Sequence, residues 1–336
     1  MISILYIGNR LSGHGNTPTA IEVLGPLLEK ENILVRYASS RKNKLFRLCE
    51  MLWNAFISRN SVNYVLIDTY STYNFWYAFA VSQLCRIFHL KYIPILHGGN
   101  LPKRLERNPK VSDMIFRNSL VNVAPSGFLH EKFSYAGYKN LKYIPNPVEL
   151  HTFQFHQRDI IGPKLLWVRS LAEIYNPMLL LRVAAILLPE FPNLEILMVG
   201  PDKGEMLPKL QKEAERLGVN VNFTGIMSKS EWAKNSTGYD IFVNTSHVDN
   251  APYSLIEAAS LGLPIVSTEV GGIPYLFEHG KNALLVADDD AMAMAGAIKT
   301  LISNKLLASQ LVENALFLSR QFSWDIVRSK WLEILK

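Results

Sequence analysis

Cysteine is scarce in this chain, with only Cys49 and Cys85 among 336 residues. Two cysteines exclude a disulfide framework and a zinc-finger arrangement, and a reducing cytoplasm is the simplest setting for them. Long apolar runs are missing too. No stretch reaches the roughly 18 apolar residues of a membrane span, and the greasiest helical stretch, 73–88, is interrupted by Asn74, Ser82, Gln83 and Arg86. The start, Met1-Ile2-Ser3-Ile4-Leu5-Tyr6-Ile7-Gly8, lacks the basic n-region and long apolar core of a signal peptide and reads as a first buried strand. Acid is short in one half only. Residues 1–150 carry 18 Lys and Arg against 9 Asp and Glu, a net +9, whereas residues 151–336 carry 17 against 20, a net −3. A basic half suits contact with anionic lipid or a lipid-diphosphate acceptor. Without a nucleic-acid recognition motif, nucleic acid is not an expected partner.

What is present is a greasy globular composition, 49% hydrophobic and 19% charged. The length suits two domains of roughly 150 residues. The first half alternates strand-like runs (3–7, 34–37, 64–67, 92–96, 120–123, 142–144) with helical stretches (17–30, 45–58, 73–88, 127–136). That alternation predicts a doubly wound parallel sheet. Pro145-Asn146-Pro147 breaks the pattern, and the polar, irregular stretch 151–163 reads as a linker. A second strand series follows at 164–168, 195–199, 221–223, 239–243, 264–267 and 283–286. The expected division is 1–150, 151–320, and a last helix, 321–336.

Residues 249–286 carry the most chemistry. Residues 239–243 read as a buried strand, 244–250 as a polar loop, 254–261 as a helix opened by Pro252 and Ser254, and 265–267 as the next strand. Ligands of such parallel units sit at the carboxyl ends of the strands. Asp249 is on that loop and Glu257 is eight positions on, just inside the helix. The first-turn N–H groups near Ser254 and Leu255 form an anion site suited to a diphosphate. Each carboxylate can accept two hydrogen bonds from neighbouring hydroxyls. The pair therefore suits a ribose at one end and a hexose at the other.

The ordered set Leu165-Leu166-Trp167-Val168-Arg169, Leu197-Met198-Val199-Gly200-Pro201, Val221-Asn222-Phe223-Thr224-Gly225, Asp240 to Glu257, Val270-Gly271-Gly272-Ile273-Pro274 and Glu278 to Val286 resembles the donor half of the retaining, nucleotide-sugar-dependent glycosyltransferases of family 4. The resemblance implies the GT-B fold: two Rossmann-like domains facing across a cleft, with a C-terminal helix crossing back to the first. It implies transfer of a sugar, from a UDP-sugar by preference, to a glycan or lipid-linked acceptor in polysaccharide or glycolipid assembly. It implies no cofactor beyond that co-substrate, no metal, and a cytoplasmic place at the inner face of the membrane. Glu257 resembles the ribose-holding carboxylate. Asp249 stands where the family usually has glutamate, against the transferred sugar. Ser254 and Leu255 would serve the distal phosphate, Gly200 and Gly225 the loops around the nucleotide, and Arg169 the leaving diphosphate. His97, in Leu96-His97-Gly98-Gly99-Asn100, resembles the first-domain histidine facing the donor sugar. Gly13, Gly15 and Asn16 would form a loop near the acceptor or phosphate, although their spacing is not a full dinucleotide fingerprint.

One departure is plain. The family places a lysine about five residues after that arginine, and Ser170-Leu171-Ala172-Glu173-Ile174-Tyr175-Asn176-Pro177 contains none. Lys203 is one candidate substitute. Asp288-Asp289-Asp290 invites a metal reading, but its position before a helix favours a cap. Two alternatives accompany the transferase reading: a nucleotide-sugar 2-epimerase of the same fold, and a donor-site relic acting as a partner subunit.

Overall fold

A computed structural model describes residues 1–10, 19–39, 41 and 43–336. Gly13, Gly15 and Asn16 lie outside the described residues. The chain divides into two units, Met1–Pro147 with Trp324–Lys336, and Val148–Ser323.

The first unit runs β1 (Ser3–Ile7), α1 (Ala20–Lys30), β2 (Leu34–Ala38), α2 (Lys44–Ile57), β3 (Tyr64–Tyr70), α3 (Asn74–Ile87), β4 (Lys91–His97), α4 (Leu101–Arg107), α5 (Pro109–Phe116), β5 (Asn122–Ala124), α6 (Gly127–Tyr135) and β6 (Leu141–Tyr143). Its six strands lie in the order β2-β1-β3-β4-β5-β6, all parallel. Strands covered on both faces need continuous apolar runs, and β1 has one, with all five residues buried. The order reverses between β1 and β3, the place where open parallel sheets bind ligands. Helix α1 starts on a capping box in which the Glu22 carboxylate accepts from the Thr19 amide at 2.9 Å.

The second unit runs β7 (Lys164–Val168), α7 (Pro177–Leu187), β8 (Glu195–Val199), α8 (Leu207–Leu217), β9 (Asn220–Gly225), α9 (Lys229–Asn235), β10 (Ile241–Asn244), α10 (Tyr253–Ser260), β11 (Ile265–Thr268), β12 (Leu284–Val286), α11 (Ala291–Ser303) and α12 (Lys305–Arg320). Its sheet order is β12-β11-β10-β7-β8-β9, again parallel, and it reverses between β7 and β10. Leu165, Leu166 and Trp167 at its centre are fully buried, each contributing roughly 1.5–3 kcal/mol.

Helix α13 (Trp324–Ile334) returns to the first unit. Val327, Trp331 and Leu335 join the core of Ile4, Tyr6 and Ile93. The Trp324 indole donates to Glu31 at 3.0 Å, and the Tyr64 hydroxyl donates to the Lys336 carbonyl at 2.6 Å.

The stretch expected to be a linker is fastened instead. The Phe153 ring is buried against Trp232, with centroids 5.1 Å apart. The Arg158 guanidinium donates to the carbonyls of Tyr239, His156, Leu261, Gly262 and Ser236 at 2.8–3.1 Å. Burial pulls its pKa down to about 10 against the pull of Asp240. Polar composition implied a loose segment, but one arginine fork meeting uncapped carbonyls is enough to fix it. Helices α4 and α5 were not expected either; Pro102 and Pro109 stand in their first turns, where proline is tolerated.

Candidate functional site

In the second unit the site grows from the reversal of strand order. Because β7 and β10 are neighbours, Arg169, one residue past β7, meets Asp249 on the loop after β10. The Arg169 guanidinium is ion-paired to the Asp249 carboxylate. It also lies over the Tyr175 ring, 4.9 Å from its centre. Burial holds its pKa below the usual arginine value, while Tyr175 and Glu257 pull it back up. Its Nε is buried and has no hydrogen-bond partner among the described residues. An orphaned buried donor of that kind costs about 1–3 kcal/mol and calls for an explanation.

Gly200 sets the arginine's backbone. Its φ is +148°, and a Cβ there would sit 1.8 Å from the Arg169 carbonyl oxygen, so only glycine lets the β8 loop come this close. Gly225, φ +69°, donates no such crowding; its carbonyl accepts from the Gly200 amide at 2.8 Å. The Gly271-Gly272 pair clasps the acid loop. The Gly272 amide donates to the Asp249 carbonyl at 2.7 Å, and Cβ atoms at 271 and 272 would fall 2.0 and 1.8 Å from the carbonyl oxygens of Asp249 and Asn250. Buried hydroxyls hold the loop from beneath. Trp167 Nε1 donates to Thr245 Oγ1 at 2.9 Å, Thr245 to the Tyr175 carbonyl at 2.7 Å, and Thr268 to the Ser246 carbonyl at 2.7 Å.

Helix α10 supplies the rest. Glu257 is 5% exposed, and burial raises its pKa above the ordinary glutamate value, opposed by Lys229 and Arg169. Lys229 Nζ lies 3.0 Å from its Oε1. The Ser254 hydroxyl, in the first turn, is buried with no partner among the described residues. Leu255 departs from expectation: its N–H, read as available to a phosphate, donates to the Pro252 carbonyl at 3.1 Å. This bond spans three positions and closes the turn locally.

Lys203 is not brought to this cluster by any contact. Its side chain is exposed, and its amide donates to the Leu171 carbonyl at 2.9 Å. Lys229 was the cation that sequence reading missed. It lies 28 positions before Glu257, and its only local signal is the Ser228–Glu231 capping box that fixes the start of α9. The three aspartates are engaged separately. Asp290 caps α11 through the Ala293 amide, Asp289 binds Asn176 and Arg182, and Asp288 binds His247. A surface depression lined by Glu173, Ile174, Asn176, Met178, Met206 and His247 shares Asn176 and His247 with these aspartate contacts and includes none of Arg169, Asp249, Ser254 and Glu257.

In the first unit His97 ends β4 and is 6% exposed. Its Nε2 is 2.9 Å from Asp68 Oδ1 on the neighbouring β3, and the Tyr6 hydroxyl donates to the same oxygen at 3.1 Å. Tyr70 stacks on the imidazole at 4.8 Å. An ionised carboxylate only accepts, so Nε2 carries the hydrogen and Nδ1 presents its lone pair when the ring is neutral. Asp68 Oδ2 is buried and unpartnered among the described residues, 2.5 Å from where a Cβ of Gly8 would stand. Asp68 was not singled out in the sequence; it lies 29 positions before His97, and only strand pairing joins them.

Residues 153–316 match the family model of glycosyl transferases group 1. The second unit is a group 1 glycosyltransferase domain. Among curated relatives, the D-inositol 3-phosphate glycosyltransferase of Streptomyces avermitilis is 29% identical over 178 residues, 50% of this chain and 38% of that protein. Sucrose-phosphate synthase 4 of Arabidopsis thaliana is 38% identical over 84 residues, 25% of this chain and 8% of that one. The matches thus span about two-fifths or less of these relatives' length. Among solved structures, Anabaena Alr3699/HepE in complex with UDP superposes with a TM-score of 0.81 at 18% identity, covering 99% of both chains. The sucrose-phosphate synthase of Thermosynechococcus elongatus gives 0.79 at 16% identity over 99% of this chain and 98% of that one. The group 1 domain and its fold are those of the family-4, GT-B resemblance.

Proposed function

We propose that this protein is a retaining glycosyltransferase that moves a sugar from a nucleotide diphosphate sugar, a UDP-sugar by preference, onto a glycan or lipid-linked acceptor. The observation that carries the reading is Arg169: a partly buried side chain whose Nε donor is buried and unused among the described residues, ion-paired to the loop that leads into a helix start with an unused Ser254 hydroxyl. Both suit the oxygens of a diphosphate. Glu257 would hold the ribose hydroxyls and Asp249 the sugar, once the phosphate draws Arg169 from it. The complexes of the Anabaena protein with UDP and with UDP-glucose support uridine as the base.

In this mechanism the glycosidic bond breaks first, and charge develops on the leaving phosphate oxygen. Arg169 and the α10 start stabilise that charge, a contribution of several kcal/mol in comparable sites. The acceptor oxygen then bonds to the anomeric carbon on the same face as the leaving oxygen takes its proton, so no protein nucleophile is required, and with Arg169 and the α10 start neutralising the diphosphate no metal is required. Lys229, close to Glu257, offers the second positive charge that the missing lysine would have supplied. His97 would meet a sugar hydroxyl through Nδ1. The basic first half, with the depression lined by Lys103, Arg104 and Arg107, suits an anionic acceptor at the inner membrane face.

The test is calorimetric titration with a panel of nucleoside diphosphates and UDP-sugars, with Glu257→Ala as control, followed by turnover with acceptors in the presence of a chelator. One nucleotide bound by the native chain and lost in the variant is the expected result. A folded protein that binds none of them sinks the proposal and favours the relic reading.

A further inference from the structure

The outward face of α2 is apolar where a surface helix is normally polar. Leu45 and Phe46 are each 67% exposed, Trp53 62%, Ile57 49% and Phe56 39%, and Cys49 is exposed among them. At 100° per residue these positions fill one continuous arc of roughly 120°. The opposite face places Met51 and Ala55 in the core. Isolated exposed apolar residues are ordinary, but a contiguous patch of this size marks an interaction surface.

Positive charge rims the patch. Lys44 Nζ lies 4.1 Å above the Tyr73 ring, and Arg59 lies 4.2 Å above Phe56 and 5.8 Å above Phe88. The Arg41 side chain is 71% exposed. Residues 32–67 contain six Lys and Arg and a single acid, Glu50.

We propose that α2 lies in the surface of an anionic lipid bilayer, with Leu45, Phe46, Trp53 and Phe56 among the upper acyl chains and Lys44, Arg41 and Arg59 at the headgroups. An apolar face bounded by cations is the composition that such a surface binds, and tryptophan favours that depth. A second copy of the chain would bring two rims of like charge together, which opposes association. This inference rests on the membrane part of the proposed function and not on sugar transfer, so its test reads binding without turnover.

Cys49 provides the reporter. It is exposed, whereas Cys85 is buried, its thiol pushed up to about 12, so an environment-sensitive maleimide labels Cys49 selectively. The full chain is mixed with vesicles of phosphatidylcholine plus phosphatidylglycerol and with vesicles of phosphatidylcholine alone. The label is expected to shift to the blue and brighten with the anionic vesicles only. Co-sedimentation should fall about tenfold in Phe46→Glu/Trp53→Glu, with no change in the thermal melt because both side chains are exposed. Co-sedimentation with the label remaining in a watery environment would overturn the proposal, since binding would then be by charge alone. So would an absence of binding, or self-association of the native chain that the double variant abolishes.

Discussion

The amide of Gly272 donates to the carbonyl of Asp249 at 2.7 Å, so the glycine pair acts on the acid loop across 23 positions of sequence. Gly271→Ala would force a Cβ to 2.0 Å from that carbonyl at φ +56°. Strain of this kind is worth about 1–3 kcal/mol. Nucleotide affinity is expected to fall by about tenfold or more, because each 1.4 kcal/mol in loop position is a factor of ten. Titration with UDP beside a thermal melt checks this; an unchanged affinity with a lowered melt would show that the loop is not part of the site.

Glu257→Gln is expected to stabilise the free protein while weakening nucleotide binding. Burial raises the folded pKa of Glu257, so its ionised form is disfavoured on folding. The stability tied to the proton is fully present below the unfolded pKa, near pH 4, and is lost as pH rises through the raised folded value. The variant should therefore melt higher than the native chain at neutral pH, and the two should converge near about pH 4. A native chain more stable at neutral pH would mean that the Lys229 contact outweighs burial.

Arg169→Lys keeps the charge but not the planar fork, and it removes Nε as a donor. Turnover is expected to fall by about 10²-fold, with Arg169→Ala lower still. Full activity in the lysine variant would remove the guanidinium from the mechanism.

His97 should be the Nε2–H tautomer when neutral, because Asp68 only accepts. Nitrogen-15 shifts of labelled histidine report this directly. In Asp68→Asn the preference should weaken, and the melt should drop by several degrees, since a buried bond to Tyr6 is disturbed as well. An Nδ1–H ring in the native chain would contradict the assigned geometry.

The strands and the strand–loop–helix–strand unit that carries Glu257 are legible because each is local. A buried parallel strand needs an apolar run, and a ligand-end loop follows it. Val270-Gly271-Gly272 was legible as a pattern, but its reason was not, since the carbonyls it touches belong to Asp249 and Asn250. Asp68 is missed because strand pairing rather than spacing joins it to His97, and Lys229 because a side-chain contact between α9 and α10, 28 positions apart, leaves no local pattern. At Leu255 the sequence shows an open helix start, and only the structure shows the first-turn N–H closing on the Pro252 carbonyl.

The fastening of Arg158 and Phe153 decides where the second unit can be cut out. A fragment opening at Lys164 would begin neatly at β7 and still be damaged. Four carbonyls, those of Ser236, Tyr239, Leu261 and Gly262, would lose their guanidinium donor, and Trp232 would lose the ring that covers it. An excised donor domain has to begin before Phe153 to arrive with its seam closed.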